Sequence, residues 1–508
     1  MSVPIPAQTA GFVTSSPTIA RRSSFAGDVV RLAAGTLSSQ LIGVLAAPFI
    51  ARMFSPVAFG ELAAFAAISG IISVVSCLRY EIVINLPKEE EEAANVAVLS
   101  LSLATVTSFA TALLILVFGK ALGRLEHAPE LTRYLWLLPL NVFLTSVWTI
   151  LNCWNQRKRA FGRLTIMQIV MRVALVSSQL TVGCSGFVSG RVLILTTIFG
   201  ALVASSVLGW QTLREDGTLF ARAVSWKEIM RVRRRYEKFP RLGLAAILLN
   251  SVSFLLPIPL LASFFNMAVV GSYSFGLRIL RVPGDLIGNN INRAFFPRAA
   301  EAKHQGTLGR SVEQALRYLV ILSFFPCFLL TLTGGSLFTL VFGSNWHEAG
   351  VYAQILSVWL FFWFVSSPLN TVFAVLEEQG LELRFQMANI VTRLVALVTG
   401  GLFGSARVAI ALFAICGVGV YGSYCVAVIR KSGASGSLVA RVMLSRLLQF
   451  APAAALIGIL RAAAAPPVAI LVATTLILLV YYWNWVRTDS AARQVISQFM
   501  RRPSLATE

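Results

Sequence analysis

Apolar segments of membrane-spanning length recur through almost the whole chain. About fourteen runs of roughly twenty largely uncharged residues are separated by short connectors, and an α-helix needs about twenty such residues to cross the roughly 30 Å hydrocarbon core of a bilayer. The runs fall at 29–51, 61–84, 95–118, 134–152, 164–183, 190–210, 243–264, 268–294, 316–340, 351–375, 384–404, 408–429, 440–460 and 467–485. With 56% hydrophobic residues and a mean hydropathy of +0.75, no stretch outside them is long enough to bury a core of its own. The chain therefore specifies an all-α polytopic membrane protein.

The charged residues set the expected topology. Lys and Arg number 43 against 22 Asp and Glu, a net charge of +21, and they alternate between dense and sparse connectors. With the N-terminus inside, the connectors near 21–31, 155–163, 211–241, 298–317, 430–446 and 487–502 all fall on one side and hold most of the basic residues. That asymmetry fits the positive-inside rule, with both termini cytoplasmic. The stretch 211–240 reads as a basic cytoplasmic linker that can also touch anionic lipid headgroups. A pI near 10.5 otherwise suggests nucleic acid, but such proteins carry their basic face on a soluble fold, and no nucleic-acid partner is expected.

Other chemistry finds little support. The six cysteines form no CxxC pair and the three histidines sit apart, so neither a disulfide framework nor a metal site is indicated. Residues 1–26 lack the apolar core of a secretory signal and read as a disordered cytoplasmic tail. Gly417, Gly419 and Gly422 spell G-x-G-x-x-G, but inside an apolar run, where helix packing explains them better than phosphate binding.

Several charges fall within the runs: Arg79, Arg172, Arg278, Arg281, Arg293 and Arg393. Each costs about 2.5 to 3.5 kcal/mol near the bilayer centre, so all must be hydrated, paired or near an interface. Arg79 and Arg293, close to run ends, can reach an interface. At 100° per residue, Ser274, Arg278, Arg281, Asp285, Asn289, Asn292 and Arg293 share one helix face. Thr165, Gln168, Arg172 and Gln179 share another, and Glu382, Gln386, Asn389 and Arg393 a third. Three polar faces imply one shared interior, and a cationic interior calls for an anionic cargo. Pro283 and Gly284 interrupt the first stripe and form a candidate hinge. Asp285 and Glu382 are candidates for proton or sodium coupling or for Arg counter-ions, with no other cofactor expected.

The chain also repeats itself. Pro48, Ala51, Phe54 and Gly60 recur at a constant offset as Pro259, Ala262, Phe265 and Gly271, which predicts two related bundles in parallel orientation. The expected organisation is a six-helix bundle over 27–210, the linker at 211–240, a second six-helix bundle over 241–429 around a shared central cavity, two additional transmembrane helices over 430–486, and a cytoplasmic tail at 487–508.

Three segments are similar to a known family. Residues 79–92 (RYEIVINLPKEEEE), 283–298 (PGDLIGNNINRAFFPR) and 341–357 (VFGSNWHEAGVYAQILS) resemble segments of the Wzx-type bacterial oligosaccharide flippases, within the multidrug, oligosaccharidyl-lipid and polysaccharide superfamily. The resemblance implies a transporter rather than an enzyme, in the bacterial inner membrane. It would move polyprenyl-pyrophosphate-linked oligosaccharide to the periplasmic leaflet by alternating access, for lipopolysaccharide or exopolysaccharide synthesis beside a glycan polymerase. On that reading Arg172, Arg278, Arg281 and Arg393 hold the pyrophosphate, while Asn289, Asn292, Gln168 and Gln386 bond sugar hydroxyls. The alternatives are a lipid II flippase, a drug/cation antiporter of the same superfamily, whose cavity would favour acidic residues, and a membrane glycan polymerase or glycosyltransferase, which usually needs a larger outer loop or catalytic domain.

Overall fold

The protein, seen in a computed structural model that describes residues 25–125 and 132–489, is built of helices, with no strand among the described residues. The side chains of residues 285–294 lie outside the described residues, as do the expected tails apart from their inner ends. In chain order the helices are α1 (Phe25–Met53), α2 (Pro56–Ser76), α3 (Tyr80–Val83), α4 (Glu90–Leu125), α5 (Leu138–Arg157), α6 (Phe161–Cys184), α7 (Gly190–Ala223), α8 (Trp226–Arg235) and α9 (Leu244–Leu255). They continue as α10 (Pro257–Phe264), α11 (Met267–His304), α12 (Leu308–Phe342), α13 (His347–Ser366), α14 (Asn370–Val375), α15 (Gln379–Leu402), α16 (Ala406–Ser432), α17 (Gly436–Ala462) and α18 (Pro467–Thr488).

Among the described residues, thirteen helical stretches are long and apolar enough to cross a membrane. Helix α11, whose side chains are described only outside 285–294, is not in that set, although its 38 residues extend about 57 Å at 1.5 Å per residue. Counted with the thirteen, it restores the fourteen crossings expected from the sequence.

Two bundles emerge from the packing. Helix α1 lies along α6, α6 along α7 and α4 along α5; in the second bundle α12 packs on α13, α13 on α16 and α15 on α16, while α17 and α18 lean against α12. The bundles meet chiefly through α2 and α11. That contact is reciprocal: a methyl group added at Gly60 would collide with the Met267 carbonyl, and one at Gly271 with the Pro56 carbonyl. Pro56 and Met267 are separated by the same offset as Gly60 and Gly271, so the sequence repeat is a structural one and glycine is required where the repeats touch. The caps repeat too. Ser55 accepts from the Ala58 N–H at 3.3 Å and Asn266 from the Val269 N–H at 3.1 Å, each supplying an oxygen to an orphan donor of the first turn.

The structure redraws several segments. The run 61–84 ends early as a helix: α2 stops at Ser76, and Leu78 and Arg79 take left-handed backbone angles, φ +49° and +69°. The run 243–264 divides between α9 and α10 at Pro257, which cannot donate into the preceding turn. The stretch 211–240 is no loose linker: α7 continues to Ala223 and α8 follows, burying Ile229 and Val232 and packing on α4. Buried Asn95 ties the turn between them, donating to the Ala223 carbonyl at 2.8 Å and accepting from the Ser225 N–H at 3.2 Å. Gly417 lies against the Trp359 ring, as helix packing requires.

Candidate functional site

A cavity with about 340 Å³ of water-accessible space lies between the two bundles. Helices α1 and α6 supply one wall through Gln40, Gly43, Arg172 and Gln179. Helices α9 to α11 supply the other through Phe254, Tyr273, Ser274, Arg278 and Arg281. Three guanidinium groups therefore line one chamber, and no Asp or Glu lines it among the described residues.

Each arginine reaches the chamber differently. Opposite Arg172 stands Gly43, where an added methyl would sit 3.6 Å from the guanidinium, in ordinary contact. Arg172 Nε is buried with no hydrogen-bond partner among the described residues. Arg278 is enclosed by protein atoms yet keeps an exposed surface, as a group on the wall of an internal chamber does. The nearby positive charge of Arg172 acts on it. Arg281 lies over the Phe254 ring at 4.1 Å and the Trp363 ring at 5.1 Å, held by ring faces that attract cations. Like charges facing one chamber repel, more strongly where the protein wall limits screening. A multivalent anion would relieve that repulsion and satisfy their donors.

The end of the cavity toward the α1–α2 and α10–α11 turns is closed. Phe59 and Phe275 stand 5.2 Å apart and Phe275 lies 4.2 Å from Trp346. Buried Trp346 donates from Nε1 to the Ala51 carbonyl at 2.7 Å, and Arg52 donates to the Leu340 carbonyl at 3.0 Å. This seal joins the bundles beside the Gly60–Gly271 contact.

The third polar stripe departs from expectation. Arg393 does not line the cavity: it is 5% exposed, donates to the Ser253 carbonyl at 2.9 Å and to the Tyr421 hydroxyl at 3.3 Å, and so fastens α15 to α9 and α16. Asn389 also donates to the Tyr421 hydroxyl, at 3.1 Å, and Glu382 pairs with Gln386. Neither Glu382 nor Gln386 lines the chamber, and the expected single interior is formed by two stripes, not three. Gln168 accepts from Thr36 at 3.3 Å along the α1–α6 seam, short of the cavity wall. The side chains of Asp285, Asn289 and Asn292 lie outside the described residues. Helix α11 runs unbroken through Pro283 and Gly284. These two face a separate apolar cavity of about 480 Å³, with Gly284 packed on Trp363.

Gln40 and the aromatic clamp on Arg281 were not legible as site residues. Gln40 shares a face of α1 with Thr36, Gly43 and Ala47, a helical spacing that could have found it; nothing in the local sequence separates Phe254 from its apolar neighbours.

Fold and cavity together define a two-bundle, multi-pass membrane protein with an arginine-lined chamber between its bundles. The backbone is similar to "Lipid II flippase MurJ, inward closed conformation", with 9% identity, 90% of this chain and 99% of that chain covered, and a TM-score of 0.67. It is also similar to an inward-facing multidrug resistance MATE family transporter of the MOP superfamily, with 16% identity, 80% and 100% coverage, and a TM-score of 0.58. A third likeness is to a MOP superfamily transporter from Pyrococcus furiosus described as having reverse polarity of its binding pocket, with 13% identity, 80% and 96% coverage, and a TM-score of 0.50. No curated protein sequence matches the chain. The chain belongs to the polysaccharide biosynthesis protein family, whose model matches residues 49–351. That span includes all three segments that carried the sequence resemblance, apart from the last residues of the third.

Proposed function

We propose that this protein is a flippase that carries polyprenyl-pyrophosphate-linked oligosaccharide from the cytoplasmic to the periplasmic leaflet of a bacterial inner membrane, in surface polysaccharide biosynthesis. The observation that carries the reading is the convergence of Arg172, Arg278 and Arg281 on one interbundle chamber whose described wall has no carboxylate. A pyrophosphate presents several anionic oxygens, and guanidinium groups meet them with paired, planar donors. The prenyl chain stays in the bilayer while headgroup and glycan occupy the chamber, where Gln40, Gln179 and Ser274 offer hydrogen bonds to hydroxyls.

The basic connectors support cytoplasmic termini, and on that orientation the Trp346 seal faces the periplasm. Rocking of the bundles that parts the α2–α11 contact and the Trp346 seal, while closing the opposite end, would exchange access. Lipid II shares the pyrophosphate chemistry and is the nearest alternative cargo; family membership favours the polysaccharide. A cationic drug is disfavoured, because it would meet three arginines.

The test is the double variant Arg172→Ala, Arg278→Ala in a strain whose surface glycan depends on this gene. Expected is unchanged insertion, loss of surface glycan, and lipid-linked glycan accumulating at the inner leaflet. Wild-type glycan output would overturn the reading.

A further inference from the structure

A second polar cavity, of about 240 Å³, lies in the first bundle at the end where the basic connectors gather, lined by Ser73, Ser76, Cys77, Arg79, Glu81, Thr145, Ser146 and Thr149, with Ile247 of α9 at its edge. The resembling segment 79–92 supplies Arg79 and Glu81, and the cargo chamber uses neither.

The hydrogen bonds of this wall fix its polarity. A hydroxyl carries one hydrogen and two lone pairs. Ser76 donates to the Ser73 carbonyl at 2.8 Å, Thr145 to the Asn141 carbonyl at 2.7 Å, and Thr149 to the Thr145 carbonyl at 2.9 Å. The Ser146 hydrogen is shared between the Val142 carbonyl and the Ser76 oxygen, each at 2.7 Å. These hydrogens are committed within the protein, so the four hydroxyls have lone pairs to offer the cavity. Glu81 is 9% exposed, and its Oε2, like the Ser73 Oγ, is buried with no hydrogen-bond partner among the described residues. The wall thus offers hydroxyl oxygens and one carboxylate to a small cation or a proton, with the Arg79 guanidinium as the one cationic side chain among its lining residues.

The charged and titratable groups facing Glu81 are few. Arg79 on the same turn approaches Oε1 at 3.8 Å, and Cys77 and Cys153 feel the carboxylate from α2 and α5. Arg157 is turned away, donating to the Ile84 and Pro87 carbonyls. The turn that presents Glu81 is strained, with Leu78 and Arg79 both left-handed, and such strain collects at functional positions.

We propose that this cavity is a monovalent-cation site, in which a sodium ion or a proton neutralises Glu81 among the hydroxyl oxygens. The occupant links α2, α3 and α5 of the first bundle; its coupling to transport rests on the flippase reading, whereas its binding does not. Burial pushes the Glu81 carboxyl above the usual carboxylate range, while its own backbone N–H and Arg79 act the other way. The ionised form therefore costs stability as pH rises through the raised value, and sodium binding is expected to strengthen over the same interval.

The experiment uses the full chain in nanodiscs. Thermal unfolding is followed against added NaCl at constant ionic strength with choline, at several pH values, beside infrared titration of protonated carboxyls. Expected is a sodium-dependent rise in Tm, with apparent affinity about tenfold weaker in Glu81→Gln and reduced in Thr149→Val, which keeps shape and removes one oxygen. No sodium effect, together with a carboxyl band that titrates above the ordinary range and is missing in Glu81→Gln, would identify the proton as occupant. Neither signal in the wild type, or a sodium shift unchanged in both variants, would overturn the site. The shift should persist in Arg172→Ala, Arg278→Ala, so the cation site and the cargo reading fail separately.

Discussion

Arg393 donates to Ser253 and Tyr421 and lies 5.5 Å from the centre of the Phe413 ring, whereas Arg278 makes no hydrogen bond or ion pair among the described residues. The same residue type inside two spans should therefore respond oppositely to truncation. Arg393→Ala leaves the buried Ser253 carbonyl without this charged donor and is expected to lower stability by roughly 1.5 to 3 kcal/mol, with pyrophosphate binding to the purified protein retained. Arg278→Ala removes half of a like-charge pair, so stability should hold or rise slightly while pyrophosphate affinity falls. Denaturation in detergent paired with pyrophosphate titration reads both. Loss of binding in Arg393→Ala at unchanged stability would return that residue to the proposed cargo site. Helical register could place each arginine on a face but not say what meets that face. Ser253 is 140 residues from Arg393 in sequence, and no local pattern encodes that pairing.

At the scale of elements, hydropathy found the crossings because twenty apolar residues leave few alternatives, but it averaged over their interruptions. Pro257 and the left-handed Leu78–Arg79 turn each divide or end a run that reads as continuous. Helix α8 was hidden for the opposite reason. Its charge marks a connector, and the i, i+3 spacing of Trp226, Ile229 and Val232 that makes it amphipathic spans too few residues to stand out. Its attachment is concentrated. Asn95 holds the α7–α8 turn, Glu92 pairs with Arg235 at 2.8 Å, and the Tyr80 hydroxyl donates to the Arg233 carbonyl at 3.0 Å. Asn95→Ala should leave the Ala223 carbonyl and Ser225 N–H to find other partners and destabilise this corner by about 1 to 3 kcal/mol. Amide hydrogen exchange should then rise across 223–236 and stay unchanged in α12 and α13. Uniform protection would show that the buried Ile229 and Val232 suffice.

For the molecule as a whole, the symmetry detected from four repeated residues has a mechanical consequence. Because Gly60 and Gly271 each leave space for the other's neighbouring carbonyl, the bundles come together at this end only while both positions lack a side chain. A branched residue forces them apart, since no rotamer removes a β-carbon from the contact. The Trp346–Ala51 and Arg52–Leu340 bonds lie beside it and would be stretched by the same displacement. Gly60→Val is therefore expected to favour a form opened at this end. In a background with native cysteines replaced, Gln40→Cys, on the cavity wall, reports access to the chamber. A membrane-impermeant maleimide applied from outside sealed cells should label it weakly with Gly60 present and severalfold more in Gly60→Val, at equal protein levels. Equal labelling in the two backgrounds would mean that the α2–α11 contact holds the bundles together without controlling entry, and would remove it as the seal of the chamber.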